Sequence, residues 1–292
     1  MDKILKRISK IISSSSKEIN ENLKKYKGEI IVIKYGGSAM LNPMLSKTFF
    51  KDIKLLVEAN IRPIIVHGGG PQINENLKAL KIEHEFYKGM RKTDSETLKV
   101  VQMVLIGSIN KNITVNLAKK NILTLGLSGI DGKLIEAKKY VPYENKKKID
   151  LGYVGVPTEC NSKLLKSLLS MNIVPVIAPI GSNKKGVKYN INADLTAGFI
   201  SYKINARRLL MLTDVKGVVD KNNKLINELK LKDIRTLISN NVIYGGMIPK
   251  VNTCINAVKK GVRASVIIDG KVKHAVLKEL FSSKGVGTLF RK

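Results

Sequence analysis

The sequence predicts an α/β protein: a three-layer α/β/α sandwich on a mostly parallel central sheet, preceded by an amphipathic N-terminal helix. Three observations carry that prediction. Continuous β-branched runs, such as Ile30 to Ile33 and Ile64 to Val66, fit strands buried on both faces of a parallel sheet better than half-exposed edges. These runs alternate with segments of helical apolar spacing, the pattern of crossover connections. Two of the strands run into glycines, at Gly36-Gly37 and at Gly68-Gly69-Gly70. Ligands in open α/β sheets bind at such carboxyl ends.

The elements follow in order. Residues 1–26 place Ile4, Ile8, Ile11, Ile12, Ile19 and Leu23 near helical spacing, interrupted by Ser13 to Ser16. That is one amphipathic helix kinked at the serines, read as an interaction helix; a basic, Ser-rich transit peptide is the competing reading. The first core strand and its glycine turn come next, then a helix from Leu45 to Ala59 and the strand Arg62 to His67. Pro71 sits at a helix start, where its missing N–H costs nothing. Glu83 to Arg91 is extended, with a turn at Lys88-Gly89. Thr93 to Glu96 offers caps for a helix from about Ser95 to Ile106, and a separate helix spans Ile109 to Lys119.

After the strand Ile122 to Leu127, the polar stretch 132–156 predicts a surface β-hairpin lobe. A helix (Asn161 to Met171) and a buried strand (Ile173 to Ile177) follow. The loop Gly181 to Gly186 could join two lobes. Beyond it come a helix from Ala193 to Ile204, the strand Arg208 to Thr213, helices near Lys232 to Ser239 and Met247 to Lys260, and the strand Ala264 to Asp269. The division expected is 1–26, 27–184 and 185–292.

Composition narrows the classes. The 292 residues suffice for one large domain or two lobes. No apolar run approaches the roughly 18 residues that span a membrane. The two cysteines, Cys160 and Cys254, make no disulfide framework and no CxxC pair, so a reducing compartment is expected. The net charge of +29 raises nucleic acid as a partner. Against that, lysines outnumber arginines 44 to 8 and spread along the whole chain, whereas base and phosphate readers favour arginine forks. The surplus of Lys, Asn and Ile looks like A/T codon bias written on a solvated surface. It suits a plastid-encoded chloroplast protein, with a bacterial cytoplasm as the alternative.

Several motifs carry chemistry. Lys34 followed by Gly36 and Gly37 outlines a phosphate cradle without a Walker A signature. Asn190, Asn192 and Asp194 alternate in YNINAD and so share a face on an extended segment; capping of the next helix by Asn192 is the plainer reading for that residue. Thr213 and Asp214 end a strand, as a site or as a simple junction. Gly246 and Met247 open a helix with Lys250 in its first turn, where a lysine opposes the helix dipole unless an anion is near. Arg91 could clamp a carboxylate. The histidines show no metal-ligand spacing, and no zinc site is expected.

Together VIKYGG, IIVHGGGPQIN, GMRKTD, YNINAD, LLMLTDVKGV and GGMIPKV resemble the amino acid kinases, and within them the kinases of N-acetyl-L-glutamate. The resemblance implies that fold and phosphorylation of the acceptor's side-chain carboxylate by ATP with Mg²⁺ in arginine biosynthesis. Kinases of another carboxylate or of carbamate are the alternative, and a basic nucleic-acid-binding protein the alternative of another class. By the same resemblance, Lys34 and Lys250 stabilise the transferring phosphoryl and Asp194 holds them. Gly36, Gly37, Thr213, Asp214, Gly246 and Met247 serve the nucleotide; Gly69, Gly70, Arg91 and Asn190 serve the acceptor. Relatives with an N-terminal helix form arginine-inhibited hexamers, and His274, Glu279 and Gly287 match their arginine segment. A PII signal protein is a possible partner by the same analogy. An apolar stripe of Ile4, Ile8, Ile11 and Leu23 would be exposed on a monomer and so need a partner.

Overall fold

The computed structural model describes residues 2–292, and its centre is an eight-stranded sheet. Before the sheet come α1 (Asp2–Ser9) and α2 (Ser16–Tyr26). They are two helices, not one kinked helix, because the serines start a new one: the Ser15 hydroxyl accepts the Glu18 N–H at 3.2 Å, half of an S-x-x-E capping box. The stripe expected to seek a partner is instead used at home. Ile8, Ile12, Ile19 and Leu23 are buried in the core beside α4 and α12, and Ile4 and Ile11 are partly buried against it.

The first half supplies β1 (Ile30–Tyr35), α3 (Ser38–Leu41), α4 (Pro43–Glu58), β2 (Arg62–His67) and α5 (Gly70–Ala79). A small hairpin, β3 (Phe86–Tyr87) and β4 (Met90–Arg91), turns at Lys88-Gly89 as expected. Next, α6 (Ser95–Gln102) and α7 (Asn110–Ala118) are joined by a π-helical segment, Met103–Ile109, rather than broken into two helices. The wide turns carry Asn110 into the interior, where its amide reaches His67, Leu127 O and Val176 O. π-Helical turns of this kind collect at functional sites.

Then come β5 (Thr124–Ser128), β6 (Ile135–Lys139), β7 (Tyr143–Glu144), β8 (Lys147–Lys148), β9 (Val154–Cys160), α8 (Ser162–Ser170), β10 (Val174–Ala178), β11 (Ile180–Ser182) and β12 (Lys188–Ile191). Only β7 and β8 form an exposed surface hairpin. The rest of the supposed excursion is structural: β6 and β9 close with β11 and β12 into a four-stranded barrel around Leu134, Ile135, Ala137 and Ile191. The loop expected to link lobes is the turn of the β11–β12 hairpin, held by Asn183 Oδ1, which accepts from Lys185 N and Val187 N at 2.9 and 3.0 Å.

The remainder is α9 (Ala193–Lys203), β13 (Arg208–Thr213), β14 (Glu228–Lys230), α10 (Ile234–Ser239), α11 (Met247–Lys259), β15 (Ala264–Asp269), α12 (Ala275–Phe281) and β16 (Gly287–Arg291). Strand order is β14-β16-β15-β13-β1-β2-β10-β5, parallel apart from the antiparallel β15–β16 step. The first half of the chain therefore builds one side of a continuous sheet and the second half the other, meeting at β1 and β13. Apolar clusters lie on both faces. Strands β1, β2 and β13 end together at one edge, where α3, α5, α9 and α11 begin.

Candidate active site

The edge where β1 and β13 meet brings Lys34, Asp194 and Lys250 together. Lys34 comes from the end of β1, Asp194 from the first turn of α9 and Lys250 from the first turn of α11. Asp194 takes Lys34 Nζ on one oxygen at 3.0 Å and Lys250 Nζ on the other at 2.6 Å. Burial would raise the Asp194 pKa, but the two ammonium groups, Lys34 and then Lys250, outweigh it and hold the carboxyl at about 2. The result is a fixed anion presenting two cations. Neither lysine needs a phosphate to offset its position, yet each has further N–H donors.

One side of this triad is a cavity of about 260 Å³ lined by Lys34, Gly68, Arg91, Asn190, Asp194 and Lys250, among others. Arg91 is 6% exposed. Its Nη2 donates to Gly70 O at 3.3 Å and to Asn74 Oδ1, and the guanidinium lies 4.6 Å over the Phe86 ring. Burial lowers its pKa. Nη1 is buried with no partner among the described residues. A buried guanidinium nitrogen left bare is costly without an anion to meet it. Asn190 donates from Nδ2 to Thr93 Oγ1 at 3.2 Å.

The glycines of this site have distinct reasons. A Cβ on Gly69 would meet Ile109 Cδ1 at 2.4 Å and Leu105 Cδ2 at 2.7 Å, so close approach of the π-helical segment demands glycine there. Around Gly70 the space is open. Gly37 has φ +61 and a Cβ would meet Asp214 Oδ1 at 2.6 Å. That oxygen accepts the Ser38 N–H at 2.7 Å, so Asp214 clamps the glycine turn of β1 to the end of β13. Gly36 lies beside the Lys34 ammonium, 3.3 Å from where its Cβ would be. His67 is buried, and burial pushes its pKa down to about 4. Its Nδ1 bonds Gly68 O, which can only accept, so Nδ1 carries the proton and Nε2 accepts from Asn110 at 3.2 Å. It supports the turn as a neutral ring.

Beyond the triad lies a second cavity, of about 620 Å³, lined by Thr213, Asp214, Val218, Tyr244, Gly246 and Met247, with Lys216 and Lys271 at hand. Lys250 is the one residue that lines both this cavity and the smaller one. Asn192 acts as the helix cap of α9, accepting from Asp194 N and Leu195 N at 2.9 and 3.1 Å.

His274, Glu279 and Gly287 line none of the cleft cavities. His274 Nδ1 pairs with the buried Asp52 at 2.5 Å. Glu279 already accepts the Val286 N–H at 2.8 Å. Gly287 is required by β15, since a Cβ would meet Ile267 O at 2.2 Å.

Sequence reasoning missed Asn74, Phe86, Thr93, Lys216 and Lys271. Asn74, Thr93 and Lys216 stand inside the motifs quoted above, but Thr93 reads there as one of the helix caps. Asp94 is the cap, accepting from Thr97 N at 2.8 Å.

Comparison with known proteins gives three findings. The profile of the amino acid kinase family matches residues 29–269. Proteins named acetylglutamate kinase from Rhodospirillum rubrum and Gluconobacter oxydans are 49% and 48% identical over 275 residues, 92% of this chain and 89% and 93% of theirs. A solved N-acetylglutamate synthase from Neisseria gonorrhoeae, complexed with coenzyme A and N-acetyl-glutamate, superposes with a TM-score of 0.84 at 21% identity. That match covers 94% of this chain and 62% of the other, and bears on the fold alone.

Proposed function

The chain belongs to the amino acid kinase family, and from that premise we propose the reaction its site supports best. The protein transfers the γ-phosphoryl of ATP to the side-chain carboxylate of N-acetyl-L-glutamate, a step of arginine biosynthesis. One observation carries the reading: the two cavities share Lys250, which with Lys34 flanks Asp194. A phosphoryl group passing between the cavities must cross these two ammonium groups.

The smaller cavity takes the acceptor, with bare Arg91 Nη1 for a carboxylate and Asn190 for the amide. Open space at Gly70 lets the acceptor approach backbone. The larger cavity takes the nucleotide, with Val218 and Met247 for the base and the start of α11 for phosphates, and Gly36 and Gly37, which line the smaller cavity beside Lys34, meet the γ-phosphate where it enters. A carboxylate oxygen attacks the γ-phosphorus, the new O–P bond forms, and the bond to the β-phosphate oxygen breaks with ADP leaving. The carboxylate is already a nucleophile, so no general base is needed. Lys34 and Lys250 offset charge on the equatorial oxygens, the main task in such a transfer. Mg²⁺ arrives with ATP. Asp194 and Asp214 are engaged by the lysines and by the Ser38 N–H, which suits an ion held by phosphates and water.

In this reading residues 27–184 form the acceptor lobe and 185–292 the nucleotide lobe, with Asn190 reaching back into the barrel. Inhibition by arginine through His274, Glu279 and Gly287, a hexamer and a PII partner complete the proposal, and sequence resemblance supports them. The buried stripe of α1 and α2 withdraws the argument from an exposed apolar face. No helix among the described residues is long and apolar enough to cross a membrane. The bacterial origin of the relatives named above supports a bacterial cytoplasm over a plastid.

A coupled ADP-release assay across acceptors tests the reaction. N-acetyl-L-glutamate should give the highest kcat/KM, ahead of N-acetyl-aminoadipate, free glutamate and carbamate. Preference for another acceptor, or ADP release indifferent to acceptor, overturns the reading.

A further inference from the structure

Thr93 is fully buried at the meeting point of three segments. Its N–H donates to Leu151 O at 3.0 Å, its carbonyl accepts the Tyr153 N–H at 2.6 Å, and Tyr153 O accepts the Asn190 N–H at 2.8 Å. The Thr93 hydroxyl donates to Arg91 O at 2.7 Å and lies 3.2 Å from Asn190 Nδ2. A threonine hydroxyl has one proton. The Arg91 carbonyl can only accept, so that proton is used there, and Asn190 meets only a lone pair. Asn190 must therefore turn its NH₂ toward Thr93; the network dictates the amide's orientation. Its Oδ1, which makes no hydrogen bond among the described residues, is the atom left for the acceptor cavity that Asn190 lines.

We propose that Thr93 is a positioning residue that makes Asn190 a hydrogen-bond acceptor for the substrate's amide N–H and ties it to the backbone that carries Arg91. The proposal rests on N-acetyl-L-glutamate as the acceptor. Its consequence is a site that reads two neighbouring features at once. Arg91 Nη1 takes a carboxylate oxygen, and Asn190 Oδ1 takes an N–H. An ester oxygen in place of that N–H would set one lone pair against another.

The test measures kcat and KM for N-acetyl-L-glutamate, for its ester analogue 2-acetoxyglutarate and for MgATP. The enzymes are wild type, Thr93→Val, Thr93→Ser and Asn190→Ala. Wild type should prefer the amide by at least about tenfold in kcat/KM, the scale of one hydrogen bond lost to a site built for it. Thr93→Val keeps the shape without the hydroxyl. It should raise KM for the amide about tenfold and erode the preference over the ester, with KM for MgATP within about twofold. Thr93→Ser should restore both. Thr93→Val added to Asn190→Ala should change nothing further, because the two act as one unit. An unchanged amide-over-ester preference in Thr93→Val overturns the proposal, as does equal damage to both substrates without rescue by serine. Should Thr93→Val fail to fold, Asn190→Ala decides: an unaltered preference there overturns it. Wild-type protein that does not phosphorylate N-acetyl-L-glutamate overturns the substrate reading and this proposal with it, whereas normal turnover with an unaltered preference overturns this proposal alone.

Discussion

At the scale of single residues, the triad makes two predictions. Lys34→Ala or Lys250→Ala should lower kcat by on the order of 10²–10³, the loss expected for one electrostatic donor to a transition state. KM for the acceptor should change far less, since in the proposed site Arg91 and Asn190 carry that binding. Steady-state kinetics on both substrates checks it. The second concerns pH. The Asp194 carboxyl is depressed from 3.8 to about 2 in the fold, so its pairs stabilise the protein above the unfolded value and that stabilisation is lost as pH falls through the folded one. The difference corresponds to about 2 kcal/mol at neutral pH. Asp194→Asn, which leaves two ammonium groups facing each other, should melt a few degrees below wild type at pH 7. The gap should close between about pH 4 and pH 2, where wild type loses its ionised aspartate. Thermal melts across that range read it; a gap that stays constant would show the pairs contribute nothing to folding.

At the scale of elements, α1 and α2 change character between sequence and structure. Helical spacing showed that one face was apolar, and it could not say which surface would cover it. The answer is the chain's own α4 and α12, with Tyr26 edge-on to Phe281 at 6.4 Å. A face buried this way belongs to stability. Ile19→Ala should therefore cost about 2–5 kcal/mol as a core truncation. Urea denaturation should show a lower midpoint with an unchanged m-value. A variant with normal stability but altered self-association would restore the interface reading. The π-helical segment makes a related point. Its apolar spacing reads as two helices because the wider turns carry extra residues and shift the apolar phase between the two α-helical ends. Its purpose is visible only where Asn110 meets His67.

At the scale of the whole molecule, the net charge of +29 sits on a protein with two anionic substrates. A surplus of that size repels itself in the compact state and attracts anions to the cleft. Salt screens both effects, with a Debye length near 10 Å at about 0.1 M. Raising NaCl from about 0.05 to about 0.5 M should thus raise the melting temperature while raising KM for MgATP and for the acceptor several-fold. Melting curves and kinetics on one salt series check both signs. A KM indifferent to salt would place the charge on surfaces remote from the cleft.

The parallel sheet, the strands with their glycine ends, and the lysines, aspartate and arginine of the candidate site were legible in the residues alone. These are local facts: β-branched runs, glycines at strand ends and residues within a few positions of a helix start leave their mark in neighbouring residues. Long-range packing alone closes β6, β9, β11 and β12 into a barrel, sets Gly69 against Ile109, lets Asp214 grip the turn at Ser38, and joins Arg91 to Asn190 through Thr93. Each of these joins residues far apart in the chain. Such partners meet only once the sheet has set the distance between them, so no local pattern announces them. The same holds for the buried stripe of α1 and α2: periodicity reveals an apolar face, but what covers it depends on how the whole chain folds back.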